Sequence, residues 1–422
     1  MVEIRKPIPV EEAVRRVMKF ANNGEIEIVP IYNAYGRYLA EDLVATHHVP
    51  PFDRSPYDGF AIRAVDSKGA NLNHSVEFEV IEEIGAGSVA EKDVLPFQAV
   101  RIMTGAQMPK GCNAVVMLEL AKETMRDGKK YMSIKRPFEP GDNISFEGED
   151  SKKGTVLVEK GVKVNPGIQA LLATFGYANV KVGRKPKIGV FATGTELLDV
   201  AESLEPGKIR NSNSFMICAQ IERSGANAHY LGMLPDDFNF CYDKVKNALH
   251  EVDMLITTGG VSVGDYDYLP EIYEKLGANV LFNKVAMRPG SVTTVAELNG
   301  KLLFGLSGNP SACYVGFELF TRPVIQTYLF NTKPHLQKVH ATLKANYPKP
   351  NPFTRFVRSR LEFANGQLLV APSGFDKSNA VSSLATANAL MVLPGGTRGF
   401  EAGSQVDVLL LEENEGSEWP WG

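Results

Sequence analysis

Apolar residues at Val10, Ala13, Val14, Val17 and Met18 recur at helical spacing, and Pro9 suits a first turn, so the chain opens on an amphipathic helix. Asn22-Asn23-Gly24 ends it. From Val76 to about Val164 the period shortens. Val76-Glu77-Phe78-Glu79-Val80-Ile81 alternates and Gly-rich breaks follow such segments, which predicts a mostly β region with further strand-like residues from Lys152 to Val164. Pro166 to Ala173 reads as a short helix. After Gly183-Arg184-Lys185-Pro186 the rhythm becomes strand, helix, strand, helix. Strands are expected at Ile188–Ala192, Ala228–Gly232, Met254–Thr257 and Lys301–Leu306. Helices are expected at about Ser214–Arg223 and, long and apolar, from near Ser311. That alternation predicts a central α/β domain with a largely parallel sheet. Past about Asn331 the pattern is β again, with Asn365-Gly366 between apolar runs as a hairpin signal. Glu412 to Gly422 reads as a frayed acidic tail. The fold class is multidomain α/β plus β.

With 422 residues the chain has room for two to four domains. Its 44% hydrophobic and 22% charged residues suit a soluble globular protein with several cores. A net charge of -4 and the lack of a long basic run give no electrostatic footprint for nucleic acid. Cys112, Cys218, Cys241 and Cys313 lack CxxC spacing, which argues against a zinc site or disulfide scaffold and suits a reducing cytoplasm. The first residues lead into a charged helix rather than an apolar signal core, and no stretch approaches the ~20 apolar residues of a membrane span. A cytoplasmic protein without a membrane partner is expected.

Ligands of open parallel sheets bind beyond the carboxyl ends of the strands. Three loops at such ends combine glycine with hydroxyls: Thr193-Gly194-Thr195-Glu196, Thr257 to Asp267, and Ser307-Gly308-Asn309-Pro310-Ser311. Glycine lets a backbone approach an anion and present N–H groups, and a following helix adds its N-terminus. Each loop alone is as readily a tight turn; three at one sheet edge point to a ligand. The spacing Gly259-Gly260-x-x-x-Gly264 is no dinucleotide fingerprint, and no GxxxxGK[ST] loop occurs. Glu196, Asp236, Asp237, Asp265 and Asp267 supply carboxylates on or near these loops, enough for a magnesium ion held by one or two acids plus substrate phosphates. A loop acid taken singly is more often a cap or a solvated charge. Lys284 and Arg288, four residues apart, share a face if that segment is extended, and Arg suits an oxyanion. Composition assigns no role to the N-terminal clusters around Asp58, Thr104 and Asp150.

Six segments, PPFDRSPYDGFA (50–61), RIMTGAQMP (101–109), GDNISFEGED (141–150), ATGTEL (192–197), TTGGVSVGDYDY (257–268) and MRPGS through LSGNPSA (287–312), occur in one order that resembles the molybdopterin molybdenumtransferase (MoeA) family, bacterial enzymes related to the C-terminal domain of gephyrin. The resemblance implies a discontinuous first domain (1–26, 45–56 and 148–183), an inserted β-rich domain (27–44 and 57–147), an α/β molybdopterin-binding domain (184–330) and a C-terminal β domain (331–422). It also implies a homodimer with composite active sites. The implied reaction inserts molybdate into adenylylated molybdopterin, with magnesium as cofactor and AMP leaving. Position by position it marks Asp58, Thr104, Asp150, Glu196, Asp236 and Asp267 as catalytic, with Glu196 and Asp267 at the metal. Thr193, Gly194, Thr258, Gly259, Gly260, Ser262, Lys284, Arg288, Ser307 and Asn309 fall at substrate-binding positions, the two cations near the oxyanion. Arg288 stands where many bacterial relatives have Lys, Ser291 where many have another Lys, and Ser307 where many have Pro.

A protein-binding scaffold and an enzyme of a neighbouring step, adenylylating molybdopterin, are the competing readings. The acid and hydroxyl set speaks against the first, since a scaffold need not keep it. The N-terminal motifs speak against the second, since a stand-alone α/β module would not need them.

Overall fold

The computed structural model describes residues 6–260, 268–364 and 366–411. The chain forms two compact units. One comprises residues 1–41, 160–169 and 179–422, the other residues 42–159 and 170–178.

A six-stranded sheet forms the centre of the larger unit. Its strands are β1 (Lys187–Thr193), β2 (Asn227–Leu234), β3 (Met254–Thr258), β4 (Asn279–Phe282), β5 (Thr294–Leu298) and β6 (Lys301–Leu306), in the spatial order β2-β1-β3-β6-β5-β4. The pairs β1–β2, β1–β3 and β3–β6 are parallel, while β5 runs antiparallel to both neighbours. The expected largely parallel sheet is therefore present. Strands β1 and β3 are buried along nearly their whole length, which is why both read as continuous apolar runs rather than as alternation.

Helices α1 (Asn213–Arg223), α2 (Phe238–Glu251) and α3 (Leu269–Leu276) cross between strands. The long apolar helix spans Pro310–Gly316 and Arg322–Tyr328, joined by a π-helical turn at Phe317–Thr321. That turn carries Glu318, fully buried, which accepts the guanidinium of Arg223 and, at 2.6 Å, the amide of Gln220. The first amphipathic helix, Val10–Met18, buries Ala13 and Val17 in the same core as Ile188, Val190, Phe282 and Phe317.

The C-terminal β region closes on itself. Lys338–Leu343, Thr354–Ala364, Gln367–Pro372, Ala389–Leu393 and Gln405–Leu410 each pair with two others, giving a five-stranded barrel without free edges. Ala364 and Gln367 pair across the anticipated hairpin, and Gly366 takes a φ of +76°. Asn365 and the acidic tail lie outside the described residues.

The smaller unit is built on a six-stranded sheet: Ala114–Met117, Gly59–Ile62, Gln98–Ile102, Val76–Ile84, Lys129–Ile134 and Ala121–Arg126 in spatial order. Phe60, Ile62, Phe78, Val116 and Met132 fill its core. A Cβ at Gly59 would sit 2.0 Å from the Val116 carbonyl oxygen, so the residue after Asp58 must lack a side chain for these strands to pair. Among the described residues no helix is long and apolar enough to cross a membrane.

Candidate functional site

Four chain segments converge beyond the carboxyl ends of β1, β2, β3 and β6 around a cavity of about 620 Å³. Thr193, Gly194 and Glu196 follow β1, Asp236 follows β2, Thr258, Gly259 and Gly260 follow β3, and Ser307 and Asn309 follow β6; all line it. The glycines are required by geometry. Gly259 has φ +97°, and a Cβ there would lie 2.6 Å from Thr193 Oγ1 and 2.7 Å from its carbonyl oxygen. The Thr193 hydroxyl in turn donates to the Thr258 carbonyl at 3.2 Å, locking the first two loops together. Asn213, at the start of α1, donates to the Gly308 carbonyl at 2.8 Å and holds the third loop in place. Its Oδ1 is buried with no protein partner, an acceptor at the cavity wall.

The adjacent acids after β2 separate in role. Asp237 caps α2, its carboxylate accepting the Phe240 N–H at 2.8 Å. Asp236 faces the cavity and accepts the Thr195 hydroxyl at 2.8 Å. Glu196 lines the same cavity from an exposed position. Ser262, Asp265 and Asp267 lie outside the described residues.

A second cavity, about 400 Å³, shares Val292, Ser307 and Asn309 with the first. Its walls carry Arg288 and Ser291 from the α/β domain and Arg355, Arg358, Asp376, Lys377 and Ser378 from the barrel. Two hydrogen bonds pin the barrel loop against the third glycine loop. The Ser311 N–H donates to the Ser378 carbonyl at 3.0 Å and its hydroxyl to the Ala380 carbonyl at 2.6 Å. Arg358 is fully buried and donates to the carbonyls of Phe375 and Lys377 at 3.2 Å each; its Nε has no protein partner. Burial pushes its pKa down, and Asp376 opposes that.

Lys284 lines neither cavity. The segment between it and Arg288 is not regularly extended, because the Met287 N–H turns back to the Val285 carbonyl at 2.9 Å. Residue spacing alone therefore does not bring the two cations together.

In the smaller unit Asp58 and Thr104 are in direct contact. The Thr104 N–H and hydroxyl both donate to Asp58 Oδ1, at 2.7 and 2.9 Å. These two donors hold the Asp58 carboxyl below the usual carboxylate range. Asp150 is exposed in the same unit, its N–H donating to the Val49 carbonyl at 3.0 Å.

The barrel side of the second cavity was not anticipated from the sequence. Arg355 and Arg358, with Arg360, put three guanidiniums into six strand residues, and a strand arginine pointing inward needs an anionic partner. That was the available signal. Nothing local tied it to Arg288, some seventy residues away.

Three family models match in succession. Residues 8–176 match the MoeA N-terminal region (domain I and II), residues 189–327 a probable molybdopterin binding domain, and residues 340–411 the MoeA C-terminal region (domain IV). The molybdopterin molybdenumtransferase of Bacillus subtilis strain 168 is 62% identical over 421 residues, covering 100% of this chain and 98% of its own length. The chain belongs to the molybdopterin molybdenumtransferase family. The enzyme of the same name from Staphylococcus aureus strain COL is 51% identical over 99% of both chains. The molybdopterin biosynthesis moeA protein of Pyrococcus horikoshii OT3 superposes with a TM-score of 0.81 at 33% identity, over 96% of this chain and 100% of that one. This membership agrees with the resemblance carried by the six segments, and the mixed α/β and β architecture agrees with the fold class.

Proposed function

We propose that this member of the family inserts molybdate into adenylylated molybdopterin and releases AMP, in the cytoplasm. One observation supports the reading most: the glycine-rich cavity and the arginine-lined cavity meet at Val292, Ser307 and Asn309. A phosphorylated pterin held on the backbone N–H groups of the first cavity would have its other end beside the guanidiniums of the second. Arg288, Arg355 and Arg358 are the donors for molybdate, and the paired lobes of Arg suit a tetrahedral oxyanion.

Magnesium fits the first cavity. Glu196 and Asp236 both line it, and magnesium is usually held by one or two carboxylates with substrate phosphates and water completing the shell. When bound, the ion would neutralise phosphate charge and polarise the phosphoanhydride. Asp267 belongs to this assignment through the family pattern.

We further infer a homodimer with composite sites. The family pattern supports this: it assigns Asp58, Thr104 and Asp150 to the site of the partner protomer, whose glycine-rich cavity they would complete. The four-domain division given above goes with that arrangement.

The decisive experiment supplies purified protein with adenylylated molybdopterin, molybdate and magnesium, then measures AMP and active cofactor. Both should appear, and both should require molybdate. Release of AMP with no metal-loaded cofactor would reassign the chain to nucleotide hydrolysis.

A further inference from the structure

The cations of the second cavity are of two kinds. Arg355 and Arg358 are tied down within the barrel. Arg355 Nε donates to Asn351 Oδ1 at 2.6 Å, and Arg358 Nη1 donates to Asp376 Oδ1 at 3.1 Å. Asp376 Oδ2 lies 3.5 Å from Arg355 Nη1 and accepts Lys349 Nζ at 3.2 Å, so this acid already faces three cations. Arg288 and Lys377 differ from these. Both line the cavity, one from the α/β domain and the other from the barrel. Among the described residues neither side chain has a hydrogen-bond or ion-pair partner.

Lys377 is held at the wall by its backbone and not by its head group. Its carbonyl accepts Arg358 Nη2 at 3.2 Å and the Ala380 N–H at 3.1 Å. The next residues of the loop are fastened to Ser311, through the Ser378 carbonyl at 3.0 Å and the Ala380 carbonyl at 2.6 Å. The Lys377 ammonium sits 5.2 Å from the centroid of the exposed Phe375 ring, which supports it without cancelling its charge. Lys349 shows what a lysine that braces this loop does: its Nζ donates to the Asp376 carbonyl at 2.9 Å as well as to its carboxylate. Lys377 braces nothing with its Nζ. A fixed backbone carrying an unengaged ammonium at a cavity wall is an arrangement for a ligand.

We propose that Lys377 is a further molybdate-binding residue of this cavity, a cation that the barrel supplies to act with Arg288 of the α/β domain. The proposal rests on reading the cavity as the oxyanion site. The two side chains bring different chemistry. Arg288 offers a planar fork that orients two oxygens of a tetrahedral anion. Lys377 offers a compact charge on a flexible stem, which reaches an oxygen that the fork leaves uncovered. Its side chain makes no contact that the barrel needs to fold apart from the one with Phe375, so its charge can be removed with the wall intact.

The test is calorimetric titration of the full chain with molybdate, which reads the site without the pterin. Lys377→Met keeps an apolar stem beside Phe375 and removes the charge. Its molybdate affinity should fall about fivefold or more, the loss of roughly one charge-assisted hydrogen bond at a partly solvated position. Lys377→Arg should retain the affinity. Ser291 lines the same cavity, so Ser291→Lys added to Lys377→Met returns a positive charge to it and should recover part of the loss. Thermal unfolding of all three should match the parent. Affinity unchanged in Lys377→Met while Arg288→Ala weakens it would overturn the role of Lys377. So would a loss that neither Lys377→Arg nor the added Ser291→Lys restores, since packing and not charge would then be at fault. No molybdate binding by the parent, or affinity unchanged in both Lys377→Met and Arg288→Ala, would instead overturn the oxyanion reading itself.

Discussion

Arg288 and Arg355 stand directly opposite each other in a short parallel pairing, Met287 with Thr354 and Arg288 with Arg355. Like charges in register destabilise a sheet. Here Arg355 leans on Asn351 at 2.6 Å and on Asp376, while Arg288 is exposed toward the shared cavity. The pairing brings both guanidiniums to the wall of one cavity, the arrangement on which the proposed oxyanion site rests.

Arg288→Ala should therefore raise the molybdate concentration for half-maximal activity by about tenfold or more, roughly the loss of one charge-assisted hydrogen bond. Arg355→Ala should act in the same direction. Binding of adenylylated molybdopterin, measured on the same variants, should change less because the glycine-rich loops are intact. An unchanged molybdate requirement with lost pterin binding would move Arg288 to the nucleotide side.

The parts legible in the sequence were those with local causes. The strand ends at Thr193, Thr258 and Leu306 follow from short apolar runs broken by glycine, and the ladder of the sheet then gathers the loops at one edge. Gly259 was read as a glycine that lets the backbone approach a ligand, and the structure adds a need the sequence did not show, since only a residue without Cβ fits beside Thr193. The residues alone did not separate Asp236 from Asp237, and only the resemblance chose Asp236, because the cap and the cavity-facing position differ by one residue and the entry angle of α2 decides between them. Lys284 shows the limit of spacing arguments: a turn at Val285–Met287 breaks the assumed extended geometry. The barrel residues Arg355, Arg358 and Asp376 depend on non-local closure and docking, which no local pattern encodes.

Glu196→Ala and Asp236→Ala should slow AMP release, and the defect should deepen as magnesium becomes limiting. Their effect on thermal stability should be small, because Glu196 is exposed, Asp236 is only half-buried, and loop acids near the surface stabilise by about 1 kcal/mol or less. Normal AMP release by both variants across limiting magnesium would remove them from the metal site.

The Asp58–Thr104 contact predicts a pH response of known sign. The Asp58 carboxyl is held low first by the Thr104 N–H and then by its hydroxyl, so the contact is present above the unfolded carboxylate pKa and is lost as pH falls through the lower folded value. Asp58 thus stays ionised throughout the neutral range. Thr104→Val removes the hydroxyl donor but keeps the backbone one. The Asp58 titration, followed by carboxyl carbon NMR, should move up part of the way toward the ordinary value. A titration unmoved in Thr104→Val would mean that the hydroxyl does not hold the charge in solution.

Complementation tests the shared site most directly. Asp58 sits in the unit of residues 42–159 and 170–178, and Glu196 in the other. If each active site takes Asp58 from one protomer and Glu196 from its partner, Asp58→Ala and Glu196→Ala homodimers each carry two damaged sites. A mixed dimer places both lesions in one site and leaves the other intact. Co-expressed subunits with different affinity tags, purified through both, should recover roughly half of the parent turnover, since one site in two is whole. A site built within one protomer gives the opposite result: every site in the mixed dimer keeps one lesion, and turnover stays at the level of the single variants. Sedimentation of the same preparation confirms that two subunits are present, so absent recovery in a dimeric sample would count against the shared site rather than against assembly.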